Sequence, residues 1–298
     1  MGNRGLGRNS CRFWSKISRI VPPNAPKNGT SIHHFYFKFL FVMSISLLSY
    51  NLNGIRSALN KGWAEWLATH QFDVVCVQET KAERSQVDMA AIEALGYKHY
   101  WFSAQKKGYS GVATLSQCEP DLVVEGCGIE KYDREGRILR TDFGDWSLLN
   151  CYFPSGTSGE ERQGVKMEFL SDFFDWIEVL KKERPKLIVV GDFNIAHREM
   201  DIHDPKGNKN SSGFLPEERA WVTKWLDSGF TDAFRHVQPD LVKYSWWSYR
   251  ANARANNKGW RIDYQTVSNN LSDKIKSCHH LTESVHSDHC GVVMHIDL

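Results

Sequence analysis

The segment Ile188-Val189-Val190-Gly191-Asp192-Phe193-Asn194 runs from an apolar stretch into a glycine, then a carboxylate and an amide two positions apart. In an extended chain residues i and i+2 share a face, so Asp192 and Asn194 point together from the end of a buried strand. A carboxylate can take a proton from water while a neighbouring amide holds that water or its target. Alone, such an element reads better as a turn closing a strand. Three further polar clusters sit at strand ends of the same chain: Asn51-Leu52-Asn53-Gly54 after Ile45–Leu48, Glu79-Thr80-Lys81 after Asp73–Gln78, and Ser287-Asp288-His289-Cys290 before Gly291–Met294. Hard divalent cations take oxygen ligands, and Mg²⁺ keeps several waters beside one or two protein carboxylates. Asn51, Glu79 and Asp288 are a candidate set for such an ion, whereas no Cys-x-x-Cys or His-Glu-x-x-His spacing points to zinc. Together the four clusters read as one site.

Strands and helices in alternation must carry these clusters. Ile45–Asn51 and Asp73–Gln78 read as strands. Leu59, Trp63, Trp66 and Leu67 fall at i, i+4, i+7 and i+8, the spacing of an amphipathic helix. Gln86–Leu95 reads as a short helix ended by Gly96, and Tyr97–Tyr152 as successive short strands between glycine- and charge-rich turns. Phe169, Leu170, Phe173, Ile177 and Leu180 trace a long helix stopped before Pro185. Pro216 opens another, with Trp221, Val222, Trp225 and Leu226 inward. The remainder returns to strands.

With 298 residues, 41% hydrophobic content and 11 tryptophans, a sizeable core can form. No Ser/Gly/Pro-rich linker or internal repeat interrupts residues 43–298, which read as a single catalytic domain. Seven cysteines without regular spacing point to reduced thiols and an intracellular home. The first 42 residues differ: seven Lys/Arg and no acidic residue give them +7. Subtracting that from the chain's +2 leaves −5 for residues 43–298, so any grip on nucleic acid must come from a local basic patch. An Arg-rich, acid-free N-terminus is read first as a translated leader ahead of Met43, then as a targeting peptide, and last as a functional arm. The stretch Phe35–Leu48 is too short for a membrane span and carries Lys38. A cytoplasmic, bacterial setting is expected, or an organellar or nuclear one if residues 1–42 are a targeting peptide.

The motifs SYNLNGIR, VQETK, GYSGVATLS, NCYFPSG, VGDFNIAH, DPKGNKNSSGFLPEER, GWRIDY and SDHC resemble, in order, those of the exonuclease III / apurinic-apyrimidinic (AP) endonuclease branch of the DNase I-like endonuclease/exonuclease/phosphatase superfamily. The resemblance covers roughly residues 43–298. GDxN and SDH alone indicate the superfamily; PKGN, YFPSG and WRIDY indicate the DNA-repair branch. It implies a four-layered α/β sandwich, two packed mixed sheets flanked by helices, with the site at one rim. The implied activity is metal-dependent hydrolysis of the phosphodiester 5′ to abasic sites in duplex DNA, with 3′-5′ exonuclease and 3′-phosphodiesterase activity on 3′-blocked ends. The implied enzyme is a monomer using Mg²⁺, with Mn²⁺ as a substitute.

By the same resemblance, Glu79 is the main metal ligand, assisted by Asn51 and Asp288, with Asn53 supporting the metal or Asp288. Asp192 orients or deprotonates the attacking water, Asn194 holds the scissile phosphate, His289 donates to a phosphate oxygen, and Asp263 orients its imidazole. Tyr152 reaches the phosphate or leaving group. Each has a plainer reading: Asp263 as a strand residue, His289 as one of 12 histidines, Tyr152 as core, Asn51 as a cap. For DNA contacts, Asn208 and Asn210 lie in a polar loop with Lys206 and Lys209, and relatives place an asparagine where Ser211 stands. Arg56, Lys81, Tyr109 and Arg250 add phosphate contacts. Trp246, Trp260 and Ile262 would wall a pocket for a baseless sugar. Two other classes remain open: a phosphohydrolase acting on a non-DNA phosphate ester, which WRIDY and PKGN disfavour, and a catalytically silent nucleic-acid-binding relative, which the full acidic set disfavours.

Overall fold

The computed structural model of the protein describes residues 44–298; the expected leader or targeting segment, residues 1–42, lies outside them. Two six-stranded mixed sheets pack face to face. In the first the strand order is β11 (Ile275–Leu281), β12 (Gly291–Asp297), β1 (Ser44–Asn51), β2 (Val74–Gln78), β4 (Val112–Ser116) and β3 (Lys98–Phe102). In the second it is β5 (Leu122–Glu125), β6 (Ile138–Phe143), β7 (Trp146–Tyr152), β8 (Lys186–Asp192), β10 (Asp263–Ser268) and β9 (Phe230–Asp232). Each sheet has one parallel pair at its centre, β1–β2 and β7–β8, and antiparallel neighbours elsewhere.

Alternation along the central strands sorts side chains into three cores. Ile45, Leu47, Val74, Cys76, Leu148, Ile188, Val190 and Val267 fill the space between the sheets. The odd-even partners Leu48, Tyr50, Val75 and Val77 turn outward onto Trp63 and Leu67. Leu149, Cys151, Leu187 and Val189 turn outward onto Phe169, Phe173, Trp221 and Trp225. Those aromatics come from two helices, α5 (Glu160–Glu183) and α6 (Pro216–Asp227), which end and begin as Pro185 and Pro216 require. The four-layer expectation is met.

Two helical expectations are corrected. The Leu59–Leu67 helix is two, α1 (Ile55–Asn60) and α2 (Trp63–His70), because Gly62 adopts φ +82° between them. The helix expected over Gln86–Leu95 reduces to a 3₁₀ turn at Arg84–Gln86 and α3 (Ala90–Ala94). Asp88 accepts from the Ala90 N–H at 3.0 Å, so its carboxylate starts a new turn rather than continuing one. A single helical turn, α4 (Glu130–Asp133), interrupts the Tyr97–Tyr152 strands, and α7 (Ala233–Val237) follows β9. Among the described residues no helix is long and apolar enough to cross a membrane.

One buried ion-pair cluster pins the long loops over the sheet edge. Arg261, fully buried, holds Asp201 through Nε at 2.8 Å and Nη2 at 3.1 Å, and Asp232 through Nη1 at 2.8 Å. Arg235 donates to Asp201 as well, and Asp232 caps α7 through the Phe234 and Arg235 N–H groups. Burial opposes the Asp201 charge, but Arg261 and Arg235 outweigh it and hold the carboxyl below the usual range. Arg261→Met leaves both carboxylates without this partner and is expected to cost about 3–5 kcal/mol, read as a lower urea midpoint at pH 7. Because the Asp201 pKa is lowered, the contribution is complete above the ordinary carboxylate range and fades as pH falls through the lower folded value. The gap between wild type and variant should therefore persist through mildly acid pH and close only in strong acid. A gap already closed at roughly pH 5 would contradict this linkage.

Candidate active site

Interface-facing positions on five central strands turn polar in order toward one rim. Behind the apolar layer, Gln78 Nε2 donates to Asn150 Oδ1 at 2.8 Å and to Ser49 Oγ at 3.1 Å. One step further along the same faces stand Asn51, Tyr152, Asp192 and Asp263. Register places Tyr152 opposite Asp192 and Asp192 opposite Asp263, a lateral row across β7, β8 and β10. The loop after β2 adds Glu79, and the segment before β12 adds Asp288 and His289.

Asn51 ties the two sheets together here. Its Nδ2 donates to Asp192 Oδ2 at 2.9 Å and to Glu79 Oε1 at 3.0 Å. Its Oδ1 accepts the Asn53 N–H at 2.9 Å, which fixes the amide's orientation. Asn53 Nδ2 donates to Asp288 Oδ1 at 2.9 Å, the supporting contact anticipated for it. Asp192 Oδ1 accepts the Asn194 N–H at 2.8 Å, and Asn194 Nδ2 reaches Asp192 Oδ2 at 3.3 Å and the Phe153 carbonyl at 3.0 Å. Glu79 and Asn194 both adopt left-handed backbone, φ +51° and +54°, which turns the chain sharply at the strand exits.

His289 Nδ1 bonds Asp263 Oδ2 at 2.9 Å, while Nε2 lies 3.9 Å from Asp192 Oδ2. Burial disfavours an imidazolium, but Asp263, Asp192 and Asp288 prevail and push the ring up to about 10. Asp192 is shifted upward by burial and by the Asp263 charge, with His289 pulling the other way. Tyr152 is raised well above its ordinary value by burial and by Glu79, so its hydroxyl stays protonated.

Glu79, Asp192 and His289 bring ligand-type atoms within 4.8 Å of one another, but His289, held as an imidazolium, has no lone pair to give, which leaves the two carboxylates as donors. Lys81 Nζ lies 2.6 Å from Glu79 Oε2 and donates to Asn53 Oδ1, so a cation already stands among these oxygens. The carboxylates of Glu79 and Asp288 suit a hard divalent ion, whereas Asn51, expected as a ligand, turns its Nδ2 rather than its oxygen toward Glu79.

A cavity of about 640 Å³ opens over this cluster, and Trp246, Trp260 and Ile262 form its wall. The two indoles meet edge to face at 6.0 Å. Trp246 Nε1 also donates to Asp288 Oδ2 at 3.0 Å, a role composition did not suggest. Ser155, Gly156, Thr157, Ser211, Ser212 and Gly213 also line it. Ser211 and Ser212, rather than Asn208 or Asn210, reach the cavity: Asn208 Nδ2 folds back on the His203 and Asp204 carbonyls, and Asn210 is exposed. Arg56 and Arg250 are exposed and outside the cavity lining. Tyr109 receives hydrogen bonds from Arg137 and Arg162, both at 3.0 Å, and Arg137 also donates to the Tyr152 carbonyl at 2.9 Å.

Sequence reasoning missed Ser245, whose Oγ accepts the N–H of Ile262 at 3.0 Å and of Asp263 at 3.1 Å. Main-chain bonds from Trp247 to Asp288 and from Cys290 to Ser245 zip the same segments together. A serine one residue before a tryptophan pair carries no signal of such a role.

The sequence matches the Endonuclease/Exonuclease/phosphatase family over residues 48–289, and the chain belongs to that family. Within it, the chain is 41% identical over 256 residues to an exodeoxyribonuclease of Bacillus subtilis (strain 168), covering 85% of this chain and 100% of that protein. It is 37% identical over 258 residues to a DNA-(apurinic or apyrimidinic site) endonuclease of Dictyostelium discoideum, covering 85% and 71%. Among solved structures, an AP endonuclease from Archaeoglobus fulgidus superposes with TM-score 0.79 at 28% identity, covering 85% of this chain and 100% of that one. A 3′ phosphatase from Neisseria bound to a product DNA hairpin gives TM-score 0.79 at 25% identity, with the same coverage.

Asp263→Asn removes the carboxylate that His289 Nδ1 bonds. The ring pKa should then drop from about 10 toward the ordinary histidine range, followed by NMR titration of the imidazole in metal-free protein. Since a raised pKa contributes stability that is complete below the ordinary value and is lost as pH rises through the folded one, the variant's deficit relative to wild type should be greatest below the ordinary histidine value and shrink as pH rises toward about 10. An unmoved ring titration would show that Asp263 does not set the charge of His289.

Proposed function

We propose that this protein is a DNA-repair phosphodiesterase that hydrolyses the phosphodiester 5′ to abasic sites in duplex DNA, acts as a 3′-5′ exonuclease and 3′-phosphodiesterase, and works as a monomer with Mg²⁺. The observation that carries the substrate assignment is the apolar wall of Trp246, Trp260 and Ile262 set directly beside the carboxylate–imidazole cluster. A baseless sugar flipped from the duplex can lie against that wall, whereas an attached base meets the indoles. The relatives named as exodeoxyribonuclease and AP endonuclease support the same reading.

Glu79, with Asp288 at hand, would hold the divalent ion, which supplies charge neutralisation for the phosphate and the leaving oxygen. The remaining work falls to the chain itself. Asp192, raised above the ordinary carboxylate range, accepts the proton of the attacking water. Its partner Asn194 stands 3.3 Å away to hold the phosphate in line. His289, kept as an imidazolium by Asp263, directs Nε2 at the anionic oxygens. Tyr152 remains a hydroxyl donor toward the leaving side.

The direct test is a gel assay on a labelled duplex with one abasic analogue, with Mg²⁺ and with EDTA. Incision leaving a 3′-hydroxyl, abolished by EDTA, is expected; preference for a non-DNA phosphate ester would refute the assignment. Glu79→Gln should lose nearly all cleavage at saturating Mg²⁺ while its melting temperature stays that of metal-free wild type. Asp192→Asn and His289→Ala should each cost about 2–5 kcal/mol of transition-state stabilisation, seen in single-turnover rate and not in affinity.

Substrate choice is tested at the wall. Trp246 also holds Asp288, so Trp260→Ala with Ile262→Ala isolates the wall from the metal-binding oxygens. This double variant should narrow the rate ratio between abasic and intact duplex while retaining metal-dependent cleavage. An unchanged ratio would place discrimination elsewhere.

A further inference from the structure

Besides the Arg261 cluster, a second pair of buried charges that the proposed chemistry leaves unused lies behind Asn194. Lys166 on α5 and Glu218 on α6 are both fully buried and lie 2.6 Å apart. Lys166 Nζ also donates to the main-chain carbonyl of Asn194 at 2.8 Å. Glu218 Oε2 accepts the N–H groups of Gly213 at 2.6 Å and Leu215 at 3.0 Å, and Oε1 accepts from Gln163 Nε2 at 3.0 Å. Gln163 in turn accepts from Ser212 Oγ at 2.7 Å. One continuous chain of bonds therefore links the backbone of Asn194 to the loop 211–215.

Both ends of that chain face substrate. Ser211, Ser212 and Gly213 line the cavity with Asn194. Gly213 is pressed so closely on the wall that a Cβ there would lie 2.9 Å from the Trp260 ring. The Ala196 N–H, two residues after Asn194, bonds the Gly213 carbonyl at 2.8 Å. A fully buried ion pair gains little net stability over a packed apolar pair, so stability alone gives no reason for Lys166 and Glu218. Asn194 needs outside support, because its left-handed backbone is an uncommon state even for asparagine.

We propose that Lys166 and Glu218 are positioning residues that hold Asn194 in its left-handed conformation and fix it in register with the loop 211–215 against which the substrate sugar rests. The proposal builds on the abasic-site reading of the cavity. Neither residue touches substrate. Lys166 acts through the carbonyl of Asn194, and Glu218 through Lys166 and the N–H groups of Gly213 and Leu215.

A double-mutant cycle separates positioning from a general structural role. Full-length wild type, Lys166→Met, Asn194→Ala and the double variant are compared in single-turnover cleavage of a duplex carrying one tetrahydrofuran abasic analogue. Lys166→Met should lower the rate constant about 10–100-fold while the half-saturating enzyme concentration changes by less than about twofold. In the Asn194→Ala background the same substitution should cost less than about twofold, since the group it positions is gone. Losses that multiply in the double variant would overturn the inference. Should Lys166→Met fail to fold, Glu218→Gln takes its place in the cycle with the same expected saturation. A wild type inactive on the abasic duplex would overturn the proposed function itself; an active wild type with multiplying losses overturns only the positioning role.

Discussion

Asp192, Asp263, Glu79 and Asp288 bring four carboxyl groups to one rim of the space between the sheets, two of them fully buried. Carboxylates this close and this dry cannot all stay ionised without positive charge among them. The chain supplies some of it: His289 lies between Asp192 and Asp263, and Lys81 sits on Glu79. The amide groups of Asn51 and Asn53 donate to three of the four, so each acid has a partner even before substrate or metal arrives. The surplus of negative charge is what makes the rim a cation site, and a bound cation is in turn what lets an anionic phosphodiester approach it. The depth of the sheet sandwich matters for this reason. A shallower rim would leave the acids solvated, with ordinary pKa values and little pull on either group.

Much of this rim was legible because strand geometry does the placing. Ile188, Val190 and Asp192 share a face, as do Ile45, Leu47, Ser49 and Asn51, so residues that begin as core end as site without any change of rule. The motifs at Glu79 and Asp192 mark strand exits and the one at His289 the entry to β12, which runs antiparallel to β1, and the fold brings them together by stacking two sheets whose central parallel pairs end at the same edge. The helices were legible where an apolar stripe was long, as in α5 and α6. They were misread where a single local choice prevailed, at Gly62 and at Asp88.

What stayed hidden is long-range polar pairing. Arg261 meets Asp201 across 60 positions, and Lys166 meets Glu218 across 52. Periodicity carries no information about which distant acid a buried base will find. The WRIDY segment was legible as a family marker, but its arginine acts as the hub of the buried Asp201–Asp232 cluster that anchors the strand bearing Asp263. Ser245 is hidden for a different reason: its hydroxyl serves backbone groups, which any residue sequence presents equally. In the polar loop, asparagines drew attention by their chemistry, yet the cavity is lined by the small residues Ser211, Ser212 and Gly213, the last so close to Trp260 that no side chain fits there.

Recognition and chemistry meet at Trp246. Its ring closes the apolar wall against Trp260, while its Nε1 fixes Asp288, and its main chain pairs with Trp260 on both sides. The same indole therefore transmits any displacement of the wall to an oxygen of the cation site. Residues 43–298 carry a formal −5, so within them a polyanion gains nothing from net charge and must rely on local cations. Apolar contact with a sugar works without that charge and survives salt that screens phosphate contacts. If the wall discriminates by shape as proposed, its bracing of an acid of the rim makes correct docking and a correctly built site the same event. On the proposed abasic-site reading, a sugar whose attached base keeps it off the indoles would be a poorer substrate for incision, because Asp192, Asn194 and His289 would not converge as well on its phosphate.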